Sequence, residues 1–159
     1  MCIRDSIKPY TYTRVLDSTG QVILENTSST SQAISPAAAY ITADLLSGVV
    51  NSSVGTGKGA KLDCGISTYG KTGTTDDDCD KWFVGFTPYY VGACWYGFDT
   101  PASISAAGVS GNPTVTAWNL VMEKIHKSLN PKEITKPSNV VEAQVCDCLL
   151  YTSDAADDL

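Results

Sequence analysis

The chain has 159 residues, with 11 Lys and Arg against 17 Asp and Glu, which gives a formal net charge of −6. This length suits one domain or part of one. The acidic balance argues against a nucleic-acid-binding surface, which needs a basic stripe, and no apolar run reaches the roughly 18–20 residues of a membrane span.

The two ends of the chain can be encoded by DNA sequences that are nearly complementary to each other. Residues 1–6 can be encoded by ATG TGT ATA AGA GAC AG and residues 148–153 by TGT CTC TTA TAC ACA TCT, nearly the reverse complement. Such a pair resembles the adapter ends of a transposon-made sequencing library, and such segments are excluded from fold reasoning. We therefore expect 1–6 and 148–159 to be translated adapter, 7–131 to be a partial domain, and 132–147 to be a polar C-terminal extension. Residues 7–147 keep 10 basic and 13 acidic residues, a net charge of −3.

The first half of this central segment predicts a β-hairpin followed by a helix. Two β-prone runs, residues 10–16 and 21–25, flank Asp17-Ser18-Thr19-Gly20, which has the composition of a turn. Ser35-Pro36 is an N-cap followed by a proline in the first helical turn. We expect Gly48 to end this helix and residues 51–61 to form an exposed loop.

The second half predicts three strands and a second helix. Residues 65–74 are extended, and two aromatic runs, residues 82–86 and 90–98, follow an acidic turn. Their near-continuous apolar character predicts strands covered on both faces, and their glycines predict bulges or close backbone approach. Asn112-Pro113 then predicts a helix start, and apolar residues at three- and four-residue spacing run from Val115 to Leu129. The element order favours an α+β fold, with helices packed on an antiparallel sheet.

One short motif carries chemistry. Lys71-Thr72-Gly73-Thr74 ends the first strand, and the aromatic segment from Asp80 to Pro88 follows it at once. Together with Lys8-Pro9-Tyr10, Ile34-Ser35-Pro36 and Gly55-Thr56-Gly57, this succession resembles the class A penicillin-binding proteins, which polymerise and cross-link peptidoglycan. The resemblance runs from about Ile7 to Leu129. It implies a β-lactamase/transpeptidase-like fold, of which this chain holds the C-terminal portion.

The resemblance also implies a serine acyl-transfer site built from S-x-x-K, S-x-N and K-T-G. In that scheme Lys71 places a positive charge beside the nucleophile and helps to relay a proton. Thr72 and Thr74 donate hydroxyl hydrogen bonds to the substrate carboxylate, and Gly73 lets the substrate backbone lie against the strand. The N–H of Thr74 supplies half of an oxyanion hole. Lys71 and Thr74 are thus the expected catalytic residues, and Thr72, Gly73 and Thr74 the expected substrate-binding residues.

The departures from the family pattern are equally informative. No S-x-x-K occurs in the sequence, and Ser110-Gly111-Asn112 fits S-x-N but follows the K-T-G segment, whereas the family places it earlier. We interpret it as a loop that leads to the helix cap at Asn112. The nucleophile is therefore expected upstream of Ile7, and this chain alone is expected to be inactive.

The implied substrates are peptidoglycan stem peptides that end in D-Ala-D-Ala, and the implied inhibitors are β-lactams. The resemblance places the parent protein on the extracytoplasmic face of the bacterial membrane, anchored through a segment outside this chain, with no cofactor. Two alternatives stay open: a serine β-lactamase-like hydrolase, and a non-catalytic peptidoglycan-binding relative of the same fold.

Weaker signals favour plain structural interpretations. Gly55-Thr56-Gly57-Lys58 hints at a phosphate loop, but Ser52 stands where that pattern needs glycine, and Gly59 stands where it needs Ser or Thr. The four cysteines within 7–147 match no metal or redox spacing, and the acidic cluster at 76–80 is expected to be a solvated turn. We expect the single histidine, His126, to be a partly exposed helix residue.

Overall fold

A computed structural model describes residues 5–143. The expected adapter segments lie largely outside this range, as does Cys146, and the division of the chain into domains stays a prediction. Asp5 and Ser6, which the sequence assigns to the adapter, pair with Gln32 and Ser31 in the structure. In the described part of the chain, no helix is long and apolar enough to cross a membrane.

The N-terminal region forms two small antiparallel sheets. Strand β2 (Arg14–Leu16) pairs with β3 (Val22–Glu25), and β1 (Asp5–Ile7) pairs with β4 (Thr30–Gln32). The turn of the β2–β3 hairpin is built by Asp17, whose carboxylate accepts from the backbone N–H groups of Thr19 and Gln21, each at 2.8 Å. The predicted hairpin is confirmed, with shorter strands than expected.

Both helices begin where the sequence places them. Helix α1 (Pro36–Asn51) is capped by the Ser35 hydroxyl, and α2 (Pro113–His126) is capped by the Asn112 side chain. The expected end of α1 at Gly48 is wrong, because the helix continues three residues further and the Gly48 carbonyl accepts from the N–H of Ser52. Within the expected loop that follows α1, Lys58–Ala60 form a short 3-10 helix.

The central sheet has three antiparallel strands in the order β5 (Tyr69–Thr74), β6 (Asp80–Phe86) and β7 (Val91–Gly97). Their pairing is regular, with Thr72 opposite Phe83 and Phe83 opposite Cys94. No bulge is therefore associated with the glycines of β6 and β7. At Gly85 an added Cβ would lie 2.9 Å from the Trp118 ring, so close backbone approach explains that glycine.

One face of the sheet carries the core. The side chain of Phe83 lies edge-on to Trp118 of α2, with ring centroids 5.3 Å apart, and neither residue has more than 1% of its surface exposed. The 3-10 helix and the end of α1 complete this layer. The core cluster comprises Val50, Ala60, Leu62, Ile66, Phe83, Val115, Trp118 and Met122.

The opposite face is open in the described part of the chain, which corrects the expectation of strands covered on both sides. Side chains alternate across a strand, and most residues of β6 and β7 on the face opposite Phe83 are exposed. We call the set Trp82, Val84, Val91 and Trp95 the open face; Trp82 is 43% exposed and Trp95 46%. Residues 5–143 contain one helical layer for this sheet, and it lies on the Phe83 side.

Candidate active site at the edge of the sheet

The K-T-G-T motif occupies the last four residues of β5, the edge strand of the central sheet. Lys71 lies opposite Val84 and Gly73 opposite Trp82, so both belong to the open face. Thr72 lies opposite Phe83 and Thr74 opposite Lys81, on the helical face. The four predicted site residues are therefore brought together on one strand, divided between its two faces.

The backbone of β5 offers hydrogen-bonding groups at its outer edge. The N–H of Thr75 donates to the Asp80 carbonyl at 3.1 Å, directly across the strand pair. Backbone groups of an antiparallel strand alternate in direction, so residues 73 and 71 also face β6, whereas Thr74 and Thr72 face outward. The N–H of Thr74 and the carbonyl of Thr72 thus lie at the edge of β5 that has no partner strand within residues 5–143.

The charge of Lys71 is held at that same edge. Its Nζ donates to the Thr72 carbonyl at 2.9 Å, which is one of the outward-facing groups, and its side chain is exposed. The ammonium group therefore lies beside an outward backbone N–H, an arrangement that suits an anionic or carbonyl-containing ligand that approaches the edge.

A second segment meets the motif from the end of α1. The hydroxyl Oγ1 of Thr56 lies 2.8 Å from the Oγ1 of Thr72. In the sequence, Gly55-Thr56-Gly57 carries the family resemblance and a hint of a phosphate loop, and neither pattern predicts this contact. Lys58 does not point into a phosphate cradle, because its Nζ donates to the Ser53 carbonyl.

The turn that follows the motif is fixed by Asp78. Its carboxylate accepts from the N–H of Ser105 at 2.9 Å and forms an ion pair with Lys81 at 3.1 Å. Hydrogen bonding from Ser105, together with Lys81, lowers the pKa of Asp78 below its ordinary value. Lys81 also donates to the Gly111 carbonyl at 2.8 Å. The acidic segment is therefore a structural turn, and no cluster of metal-ligating side chains occurs within residues 5–143.

Other residues singled out in the sequence have structural positions. Asn112 accepts from the N–H of Thr114, so Ser110-Gly111-Asn112 is the loop and cap that the sequence predicts. The expectation for His126 is wrong: the ring is fully buried. Three of the cysteines within 7–147, Cys64, Cys79 and Cys94, are free thiols; the fourth lies outside the described residues.

The family model of the penicillin-binding protein transpeptidase domain matches residues 5–99. This match covers more than half of the chain, which therefore belongs to that family.

Individual relatives agree with this assignment. Penicillin-binding protein 1A of Clostridium tetani is 41% identical over 142 residues, which are 87% of this chain and 18% of the relative. Penicillin-binding protein 1A of Clostridium perfringens is 42% identical over 136 residues, 85% of this chain and 16% of the relative. The chain thus spans less than a fifth of the length of these curated relatives.

Solved structures give the same fold. Penicillin-binding protein 1A from Haemophilus influenzae superposes with a TM-score of 0.65 at 20% identity, over 88% of this chain and 26% of that one. The D,D-transpeptidase domain of a peptidoglycan glycosyltransferase from Eggerthella lenta gives a TM-score of 0.56 at 27% identity, over 79% of this chain and 29% of that one. The predicted α+β transpeptidase-like fold is confirmed.

Proposed function

We propose that this chain is the K-T-G-bearing part of the transpeptidase domain of a class A penicillin-binding protein. The longer protein is a serine-type D-Ala-D-Ala transpeptidase that cross-links peptidoglycan stem peptides. The observation that carries the proposal is the edge of β5, which presents the Lys71 ammonium on one face, the Thr72 hydroxyl on the other and the outward N–H of Thr74 between them. The family match and the absence of S-x-x-K from the sequence lead us to infer that the nucleophilic serine lies upstream of Ile7.

The reaction is a double acyl transfer. The serine oxygen attacks the carbonyl carbon of the penultimate D-Ala, the peptide bond to the last D-Ala breaks, and that D-Ala leaves as an amine. An amino group of a neighbouring stem peptide then attacks the serine ester and releases the cross-linked product. Negative charge develops on the carbonyl oxygen in both steps, so a preorganised N–H donor accelerates both.

The residues of β5 have distinct tasks in this scheme. Lys71 attracts the terminal carboxylate of the stem peptide and relays a proton near the serine. The N–H of Thr74 faces the oxygen on which charge develops, and the hydroxyls of Thr72 and Thr74 bind the carboxylate. Gly73 allows the peptide backbone to lie along the strand edge; it also fits closely against β6, because an added Cβ would lie 3.3 Å from the Cβ of Trp82.

The ligands follow from the same chemistry. β-Lactams present a strained amide and a carboxylate in the same relative positions as D-Ala-D-Ala, so they acylate the serine of the longer protein. The substrate lies outside the cytoplasm, so we propose that the domain is extracytoplasmic and that a membrane anchor lies elsewhere in the longer protein. The reaction needs no cofactor. The transpeptidase family match favours cross-linking over the hydrolytic, β-lactamase-like alternative.

The proposal is tested by labelling with a fluorescent penicillin. The longer protein forms a covalent serine adduct, and Lys71→Ala slows its formation by about 100-fold or more, because a charge aimed at the reacting centre is lost. Lys124→Ala, which removes an exposed lysine of α2, is the matched control and leaves the rate unchanged. The 159-residue chain alone forms no adduct.

Two outcomes contradict the proposal. A longer protein with a degenerate S-x-x-K and no penicillin adduct would be the non-catalytic peptidoglycan-binding relative. Equal acylation rates for Lys71→Ala and Lys124→Ala would remove Lys71 from the site.

A further inference from the structure

The contact between Thr56 and Thr72 joins the candidate site to a loop that no part of the proposed mechanism uses. The two Oγ1 atoms lie 2.8 Å apart, an ordinary distance for a hydroxyl–hydroxyl hydrogen bond. Sixteen residues separate them in the chain, so the fold, and not local geometry, brings them together. Thr56 is exposed and is therefore accessible at the surface of the edge.

The loop that carries Thr56 is held in place by a hydrogen bond to α1 and by the close packing of its glycines. The N–H of Gly57 donates to the Val49 carbonyl at 3.0 Å, within the last turn of α1. A Cβ added at Gly55 would lie 2.3 Å from that same carbonyl oxygen, and one added at Gly57 would lie 3.1 Å from the Phe83 ring. Gly55 is thus required for close packing, Gly57 lies close against Phe83, and Phe83 is the cross-strand partner of Thr72. The position of Thr56 relative to β5 is consequently fixed from two sides.

The hydroxyl protons of the pair determine what it can do. Two hydroxyls carry two protons, and the bond between them uses one. The other proton is available to a ligand at the edge of β5. A hydroxyl that accepts a hydrogen bond is a better donor, because bonds in a chain polarise one another. The Lys71 ammonium donates to the Thr72 carbonyl and so adds a positive charge to the same strand edge, which therefore favours an anion.

We propose that Thr56 is a positioning residue for carboxylate recognition, which deepens the proposed transpeptidase function and rests on it. Thr56 donates to the Thr72 oxygen, and the Thr72 hydroxyl is thereby oriented to donate its own proton to the terminal carboxylate of the stem peptide or of a penicillin. Specificity for a free carboxylate thus depends on a residue outside the K-T-G motif.

The test compares two penicillin forms on the longer protein: the free acid and the methyl ester of the same carboxylate. Thr56→Val removes the hydroxyl and keeps the shape, and it lowers the acylation rate constant for the free acid by roughly 3- to 10-fold, the range expected for one such hydrogen bond. The ester reacts more slowly with the wild type, and Thr56→Val leaves its rate unchanged. Thr56→Ser restores the rate for the free acid.

Thr42→Val is the matched control, because Thr42 also bonds through its hydroxyl, to the Ala38 carbonyl of α1 at 2.8 Å, away from the site. It leaves both rates unchanged. In the Thr72→Val background the effect of Thr56→Val disappears, since the two residues act through one donor.

The possible failures are separable. Equal losses of rate for the free acid and the ester would overturn the positioning role, and so would additive effects of Thr56→Val and Thr72→Val. The proposed function would still stand in either case if the adduct forms and its formation depends on Lys71. A wild-type protein that forms no adduct with the free acid would overturn both.

Discussion

His126 is a fully buried residue whose two ring nitrogens both need hydrogen-bond partners. Its Nδ1 lies 2.8 Å from the Met122 carbonyl, which can only accept, so in the neutral ring Nδ1 carries the proton. Its Nε2 then accepts from the Thr87 hydroxyl at 2.7 Å. The Thr87 oxygen in turn accepts from the N–H groups of Tyr89 and Tyr90. One imidazole thus connects α2 to the turn between β6 and β7.

We predict that His126→Leu lowers the free energy of unfolding by about 1–3 kcal/mol, because the Met122 carbonyl and the Thr87 hydroxyl lose a partner in the interior. Urea denaturation of the chain, followed by circular dichroism, measures this change. Thr116→Leu places the same side chain on the exposed side of α2 and is expected to stay within about 0.5 kcal/mol of the wild type. Similar values for the two variants would show that the network contributes nothing.

The error over His126 shows what sequence periodicity cannot decide. The stripe Val115, Trp118 and Met122 continues at three or four residues, so both Ile125 and His126 fit its next position. Hydrophobicity favoured Ile125, which is 45% exposed in the structure, whereas His126 is buried. The deciding contact is the Thr87 hydroxyl at the end of β6, and a polar partner from another element is not visible in the pattern of the helix itself.

At the scale of the elements, the sequence predicts where the two helices begin better than it predicts where α1 ends. The helix starts at Ser35-Pro36 and Asn112-Pro113 are set by capping side chains and by residues next to them in the chain. The sequence alone therefore predicts both starts. The end of α1 depends on the Gly-Thr-Gly loop, which folds back so that Gly57 donates to the Val49 carbonyl. Only the folded chain supplies that donor. The same loop makes the Thr56–Thr72 contact, which was missed for the same reason.

The two helix caps are expected to differ in strength. Ser35 accepts from the N–H of Ala38 at 3.2 Å, whereas Asn112 accepts from Thr114 and also donates to the Trp82 carbonyl of β6 at 3.2 Å. We predict that Ser35→Ala costs about 1 kcal/mol and Asn112→Ala about 2 kcal/mol, since the second substitution also removes a bond to the sheet. Urea midpoints of the two variants check the order, and a larger loss for Ser35→Ala would contradict it.

The Asp78 turn makes the docking of the loop at 103–112 dependent on pH. The folded state lowers the pKa of Asp78, so its ionised form contributes stability above the unfolded value of 3.8. That contribution is lost as the pH falls through the lower, folded value. We predict that Asp78→Asn destabilises the chain at neutral pH and that its difference from the wild type shrinks below about pH 4.

Urea denaturation at several pH values measures this effect. Asparagine also adopts positive φ readily, so the substitution tolerates the backbone of Asp78, whose φ is 53°. Asp77→Asn, an exposed neighbour, is the control and should show no such pH-dependent difference. A difference for Asp78→Asn that persists unchanged to pH 2 would exclude the carboxylate as its source.

At the scale of the whole molecule, the sheet is unevenly covered. The sequence predicts the three strands of the central sheet and the helix packed on it, because apolar stripes and turn residues are local signals. It also predicted cover on both faces, since near-continuous apolar strands are typical of buried sheets. In the proposed longer protein, we expect the rest of the transpeptidase domain to cover the open face. The apolar residues on both faces of β6 and β7 then suit a sheet that is buried in the longer protein, although this chain covers only one face.

We therefore predict that the chain alone self-associates through the open face. Trp82, Val84, Val91 and Trp95 lie on one face of two adjacent strands, each is more than 40% exposed, and grouped apolar side chains of this kind favour association. The double substitution Val84→Lys with Val91→Lys is expected to shift sedimentation velocity profiles at micromolar concentration toward monomer and to reduce the fluorescence of a bound hydrophobic dye. Leu120→Lys with Val121→Lys changes two residues of similar exposure on α2 and should alter neither. Equal effects of the two pairs would mean that added charge, and not the open face, controls association.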